Sequence, residues 1–137
     1  MGRRSYRSLV RVNSPIKMER IYVIAFRKDW EEAVRTGSYV VDSLEREGFI
    51  HASKRNQLEE TANRIFFGRR DLVLLVVDPA RLRSPLKYEV SHSAKFSEED
   101  GKNIFPHIFG FLNVDAVSEN LDIVPDRDGF FRFSFLD

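Results

Sequence analysis

The chain has 137 residues, 42% of them hydrophobic, with twelve phenylalanines, which suits one domain with a buried core and excludes a disordered segment. It has no cysteine, so a disulfide frame and a thiolate nucleophile are excluded, and its three histidines show no tight ligand spacing that would support a zinc site. The formal charge is +1, but Arg3, Arg4, Arg7, Arg11 and Lys17 stand in the first 17 residues without an acid, leaving a body of 17 basic against 21 acidic groups, which is not the footprint of a general nucleic-acid binder.

Residues 1–17 read as a basic N-terminal extension ahead of a single domain over 18–137. Their Arg- and Ser-containing, acid-free composition loosely matches a transit peptide, and equally a frayed extension before Met18. They lack the apolar core of a secretory signal. No apolar run approaches the roughly 20 residues of a membrane span. The absence of cysteine suits a reducing compartment, so a cytoplasmic location is expected.

"RIYVIAF" from Arg20 is β-branched and aromatic, and predicts a strand. "RKDWEEAVRTG" predicts a helix capped by Asp29, with Trp30, Ala33 and Val34 on one face and Gly37 as its stop. "SYVVDSL" reads as extended or a turn. "GFIHAS" reads as a second strand. "KRNQLEETANRIFFG" is the clearest helix, with Ser53 as cap, Gly68 as stop, and Leu58, Ala62, Ile65 and Phe66 at helical spacing. The unbroken apolar run "DLVLLVVD" predicts a central strand covered on both faces and ended by Asp78-Pro79. "LKYEV" predicts another strand, and the polar "SHSAKFSEEDGKN", with a solvated His92, a loop. "IFPHIFGFL" contains a proline and belongs at an edge or bend. "NVDAVSENLDIV", the turn "PDRDG" and "FFRFSFL" predict a late hairpin, with Phe131, Phe133 and Phe135 facing one way. Two early helices and several later strands suggest an α+β fold rather than a doubly wound sheet. No glycine-rich phosphate loop stands after any strand.

Three polar groups stand in apolar company. In GFIHAS, Phe49, His51 and Ser53 share one face of the strand and Gly48, Ile50 and Ala52 the other. In "KYEV", Tyr88 and Glu89 lie on opposite faces. In "FPHIFG", His107 sits among Phe105, Ile108 and Phe109. Each is costly in such surroundings unless paired. A core histidine satisfied by one carbonyl explains any one of them. Three in separate segments suggest a shared polar cleft.

The stretches "IYVI", "DSLEREGFIHAS", "LVLLVVDPARL", "YE" and "FPHIFGFL", in this order, closely resemble the bacterial family known as domain of unknown function 952, from about Arg20 to Val117. The resemblance implies a compact domain of the ADP-ribosylation fold, with split, bent sheets enclosing a nicotinamide-nucleotide cleft. A more distant similarity is to RNA 2′-phosphotransferases, whose motif order matches "IYVIA", "GFIHAS", a helix and "FFGRRDLVLLVVD". On that alignment His51 and Ser53 take cleft positions, while the cleft histidine of the first motif falls on Val23.

Three functions compete, the first two implied by these resemblances and the third by the aromatic C-terminal segment. One is a nucleotide-handling enzyme with NAD as substrate and no metal: His51 on a ribose hydroxyl, Glu89 as the carboxylate, Tyr22 or Tyr88 stacking, and Ser53 and His107 lining the pocket. Phosphotransfer would instead use Arg69 and Arg70 as cations. The second is a non-catalytic nucleotide-binding module with the same cleft. The third is an interaction domain presenting "FFRFSFL". The expected partner is a small-molecule nucleotide, without a membrane and with no oligomeric state implied.

Overall fold

A computed structural model describes residues 19–91, 101 and 103–137. The basic residues 1–17, and the part of the polar segment that holds His92, lie outside the described residues. The elements run β1 (Ile21–Phe26), α1 (Arg27–Thr36), β2 (Ser38–Tyr39), α2 (Asp42–Glu47), β3 (Ile50–His51), a 3-10 turn (Arg55–Gln57), α3 (Leu58–Ile65), β4 (Leu72–Val77), β5 (Leu86–Val90), β6 (Ile104–Ile108), β7 (Leu112–Asn113) and β8 (Val117–Ile123). They form split antiparallel sheets in the orders β1-β4-β8, β2-β7 and β3-β6-β5, with short helices between, which is an α+β fold. Among the described residues no helix is long and apolar enough to cross a membrane.

The six residues of β4 are all buried, as an apolar run between two partners requires. Period-2 alternation divides them between two cores. Val73, Leu75 and Val77 pack with Ile21, Val23, Ala25 and Trp30, whereas Leu72 and Leu74 pack with Leu58, Ala62, Phe131 and Phe133.

The helices depart from expectation at their ends. Asp29 does not cap α1. Phe26 occupies the cap position without a side-chain bond, and Asp29 lies in the first turn, where its charge suits the helix dipole. Trp30 and Ala33 are buried but Val34 is exposed. Of residues 38–44, which the sequence presents as extended or a turn, the last three open α2, whose six residues are too few to show a helical apolar repeat. Gly48 ends α2 at φ +89°, its N–H donating to the carbonyls of Ser43 and Leu44. Its glycine character is therefore that of a left-handed C-cap, not of a close approach, since a Cβ there meets nothing within 4 Å. Ser53 is not the cap before α3, because its backbone is bridged to Tyr22. The fully buried Gln57 takes the cap position of α3 without a side-chain bond into the helix; its Oε1 accepts from Lys54 N at 2.8 Å, closing the 3-10 turn, and its Nε2 donates to Ile104 O at 2.7 Å. Leu58 and Ala62 are buried, while Ile65 is exposed.

Two late segments also depart from expectation. Pro106 predicts an edge or bend, yet it lies in β6, the central strand of its sheet. The carbonyl of Pro106 accepts from Ala52 N at 3.1 Å, so the missing N–H falls on the side of β3, whose named pairing stops at Ile50 and His51. The proline thus costs one bond at a strand end and none on the β5 side. The segment "FFRFSFL", in turn, is not a strand. The turn before it forms, with Asp126 N donating to Phe130 O at 2.7 Å and Gly129 at φ +98°, but the chain is then irregular up to a 3-10 turn at Ser134–Leu136. The Asn63 side chain replaces the partner strand at one residue. Its Oδ1 accepts from Phe131 N at 2.7 Å and its Nδ2 donates to Phe131 O at 3.1 Å. Phe131 and Phe133 are buried as the alternation expects, and Phe135 points outward.

Candidate functional site

The left-handed turn at Gly48 carries the chain from α2 straight into β3. It brings Glu47 within reach of His51 four residues on, with His51 Nε2 to Glu47 Oε2 at 2.9 Å. Across the sheet His51 pairs in register with His107 on β6. Directly opposite residues of an antiparallel pair project to the same face, and the two imidazoles lie 5.6 Å apart, edge to face. On the far side of β6, Lys87 stands opposite His107, so Glu89 reaches His107 diagonally, with Nδ1 to Oε1 at 2.7 Å. Phe49, two residues before His51 and on its face, stacks on His107 with ring centroids 3.9 Å apart and makes an edge contact with His51 at 4.9 Å.

The result is two carboxylate–imidazole pairs around one aromatic ring. They differ in burial: the side chain of His107 is 8% exposed and that of His51 58%. An ionised carboxylate only accepts, so it fixes the hydrogen on Nδ1 of His107 and on Nε2 of His51. Where a ring so held is uncharged, its second nitrogen is a proton acceptor. The hydrogen bond from His51 holds the Glu47 carboxyl below the ordinary glutamate value, opposed by burial and assisted by the charges of His51, Arg46 and His107. A depressed carboxyl contributes stability above its unfolded value and loses it as pH falls through the folded one. Exposure keeps that contribution small. The expected result is a Glu47 side-chain NMR titration midpoint below the ordinary glutamate value that rises in His51→Ala. A midpoint unmoved by the substitution would remove the pair.

His51 and His107 line a cavity of about 210 Å³ together with Tyr22, Ser53, Thr61 and Arg64. Tyr22 and Ser53 enter because their backbones form a β-bridge, and α3 supplies Thr61 and Arg64. The Thr61 hydroxyl is buried with no hydrogen-bond partner among the described residues. Arg64 donates through Nε to Glu60 at 2.7 Å. A larger cavity of about 550 Å³ shares Ile24, His51 and Phe66 with the first. Among the described residues, no three His, Cys, Asp or Glu side chains are grouped to hold a metal.

Of the residues singled out in the sequence, the structure brings Tyr22, His51, Ser53 and His107 to one cavity, with Glu89 joined through His107. Glu89 bonds to His107, not to His51. Tyr88 is half exposed and lines neither cavity, and burial and then the charge of Glu19 raise its phenol pKa. Arg69 is tied to Asp71 at 2.7 Å and lies over the Phe26 ring. Neither Arg69 nor Arg70 lines the cavity; the cation that does is Arg64. Sequence reasoning missed Arg64, Thr61 and Glu47. The signal for the first two is their i, i+3 spacing on the flank of the α3 apolar stripe.

The DUF952 family, proteins of unknown function, matches residues 24–120 of the chain. The crystal structure of protein CC0527 from Caulobacter crescentus is 34% identical, covers 82% of this chain and 93% of its own, and superposes with a TM-score of 0.70. The solution NMR structure of CC0527 is 34% identical over 84% of this chain and 93% of its own, with a TM-score of 0.69. No curated protein matches the chain. The matched span holds both carboxylate–histidine pairs, and with it the chain belongs to the DUF952 family.

Proposed function

We propose that the chain handles a nicotinamide nucleotide, NAD or ADP-ribose, by chemistry of the ADP-ribosyltransferase type on an ADP-ribosylation-like fold. The observation that carries the reading is the pair of carboxylate-held imidazoles on one small cavity whose α3 wall offers Thr61 and Arg64. The volume of about 210 Å³ lies below the roughly 300–1,000 Å³ of pockets that enclose a drug-sized ligand, so one amide-bearing ring fills it. In the transfer, the bond from ribose C1′ to the nicotinamide nitrogen breaks and the ring leaves with the electron pair. An acceptor hydroxyl then bonds to C1′ and gives its proton to a base. His107 suits that base, since Glu89 holds the Nδ1 hydrogen and leaves Nε2 to accept, as a positioned histidine does in acyl transfer. His51 and Ser53 supply hydrogen bonds to ribose hydroxyls, and Tyr22 supplies a ring face.

A second reading is a non-catalytic nucleotide-binding or protein-interaction module. What favours it is Val23, 2% exposed and packed in the core at the position where the distant phosphotransferase similarity puts a cleft histidine. The β1 residues that reach the smaller cavity are instead Tyr22 and Ile24. Incubation with NAD, read by product chromatography and by a thermal shift, separates the two. Release of nicotinamide that His107→Ala abolishes supports the transferase. A shift without turnover supports binding alone, and neither response sinks both nucleotide readings.

A further inference from the structure

The larger cavity carries charges that the described residues leave unmatched. Lys28 and Asp29 enter from the first turn of α1, Asp42 and Arg46 from α2. All four line the same space of about 550 Å³, yet none forms an ion pair or a side-chain hydrogen bond among the described residues. Elsewhere the same chain pairs such groups readily, as in Arg27–Asp122, Arg55–Asp137 and Arg83–Asp115. A bare anion suits Lys28 and Arg46 but is repelled by the two carboxylates. A bare cation meets the reverse problem. A ligand that satisfies both sets carries an anionic group for the cations and hydroxyl donors for the carboxylates. Tyr39 adds a donor to the same wall, because burial, with the charge of Asp29 behind it, pushes its phenol pKa up and keeps the hydroxyl protonated.

We infer that the larger cavity is a binding subsite for a ribose phosphate, with Lys28 and Arg46 on the phosphate and Asp29 and Asp42 on the sugar hydroxyls. The assignment deepens the nucleotide reading and rests on it for the ring, which enters the adjoining cavity past the shared His51. The sugar-phosphate end stands apart from that ring and can be tested without it.

The experiment titrates the full chain, observed by NMR, with three probes of the larger cavity, ribose 5-phosphate, ribose and inorganic phosphate, and separately with nicotinamide. Ribose 5-phosphate is expected to bind at least about tenfold more tightly than either fragment, since each charge-assisted contact is worth roughly a factor of ten. The largest shifts belong at Lys28, Asp42, Arg46 and His51. Arg46→Met and Lys28→Met each lower its affinity about tenfold and leave ribose unchanged, and Asp42→Asn lowers it while strengthening inorganic phosphate, which loses a repelling carboxylate. These residues are at the surface or half-buried, so the variants fold, and the amide spectrum verifies it. Equal binding of the three probes, or shifts confined to other faces, overturns the subsite. Ribose 5-phosphate binding at this cavity with no response to nicotinamide at the smaller one upholds the subsite and sinks the nucleotide reading. Nicotinamide binding without ribose 5-phosphate binding does the opposite.

Discussion

Phe131→Ala is expected to lower the free energy of unfolding by about 3–5 kcal/mol, the range for deleting a fully packed phenylalanine. The ring is 2% exposed and sits in the core of Leu58, Ala62, Leu72, Leu74 and Ile123. Among the described residues its segment has no partner strand, and only Asn63 grips the backbone of Phe131, so the ring and the amide clasp fix the C-terminal segment together. Phe135→Ala is the control: that ring is 59% exposed and its loss should stay within about 0.5 kcal/mol. Urea denaturation of the two variants, with unchanged m-values, is the measurement. Similar small losses for both would mean that the C-terminal aromatics do not close the second core.

The two site histidines should separate stability from ligand response. His107→Ala removes a ring 8% exposed, stacked on Phe49 and bonded to Glu89, and should cost about 1–3 kcal/mol, the usual range for a change that empties a packed position. His51→Ala removes a ring 58% exposed, and should cost less than about 1 kcal/mol, as exposed ion pairs do. With NAD or ADP-ribose at a hundred times its dissociation constant, the wild-type chain gains about 2.7 kcal/mol, and both variants should lose most of that gain. Ser53→Ala should lose part of it. Paired denaturation curves with and without nucleotide test the split. A His51→Ala chain that is strongly destabilised yet keeps its whole nucleotide gain would make His51 a residue of the fold and not of the site.

The elements that can be read from the chain are those whose pattern is long enough to be unambiguous. Six apolar residues in β4, three of them valine and stopped by Asp78-Pro79, favour a strand covered on both sides, and Asp78 ends it by accepting from Ala80 N. The six residues of α2 are shorter than two helical turns, so no periodicity distinguishes them from a turn. A proline such as Pro106 points to an edge because it lacks one donor, and because that loss is local a central strand tolerates it where its neighbour runs out. The alternating Phe131 and Phe133 imitate a strand, but alternation reports which side chains are buried and not what the backbone bonds to.

The site divides along the same line. His51, Ser53 and His107 stand out because polar residues are unexpected in apolar segments. Glu47, Thr61 and Arg64 stand in helices where polar residues are ordinary, so no contrast marks them. Glu89 is legible as a residue of the site, but its partner is not. The diagonal to His107 depends on a register between β5 and β6 that only the folded sheet defines.

Among the described residues, the two three-stranded sheets are joined by a single bridge pair, Tyr22 N to Ser53 O at 2.9 Å and Ser53 N to Tyr22 O at 2.8 Å. Both residues line the smaller cavity, so the cavity straddles a seam rather than the middle of a sheet. Mechanically this is a seam pinned by two backbone bonds, with Ile50 and Ile108 of one sheet packed in the same core as Ile21 and Val23 of the other, beside the ladder from Ile21↔Val77 to Phe26↔Leu72 that locks β1 to β4. An isolated bridge opens locally more readily than a six-residue ladder. The amide protons of Tyr22 and Ser53 therefore time the opening of the cavity, and those inside β4 time the unfolding of the whole domain. A molecule that spans the seam acts as a third pin, and slows hydrogen exchange at these two amides before it slows any in β4.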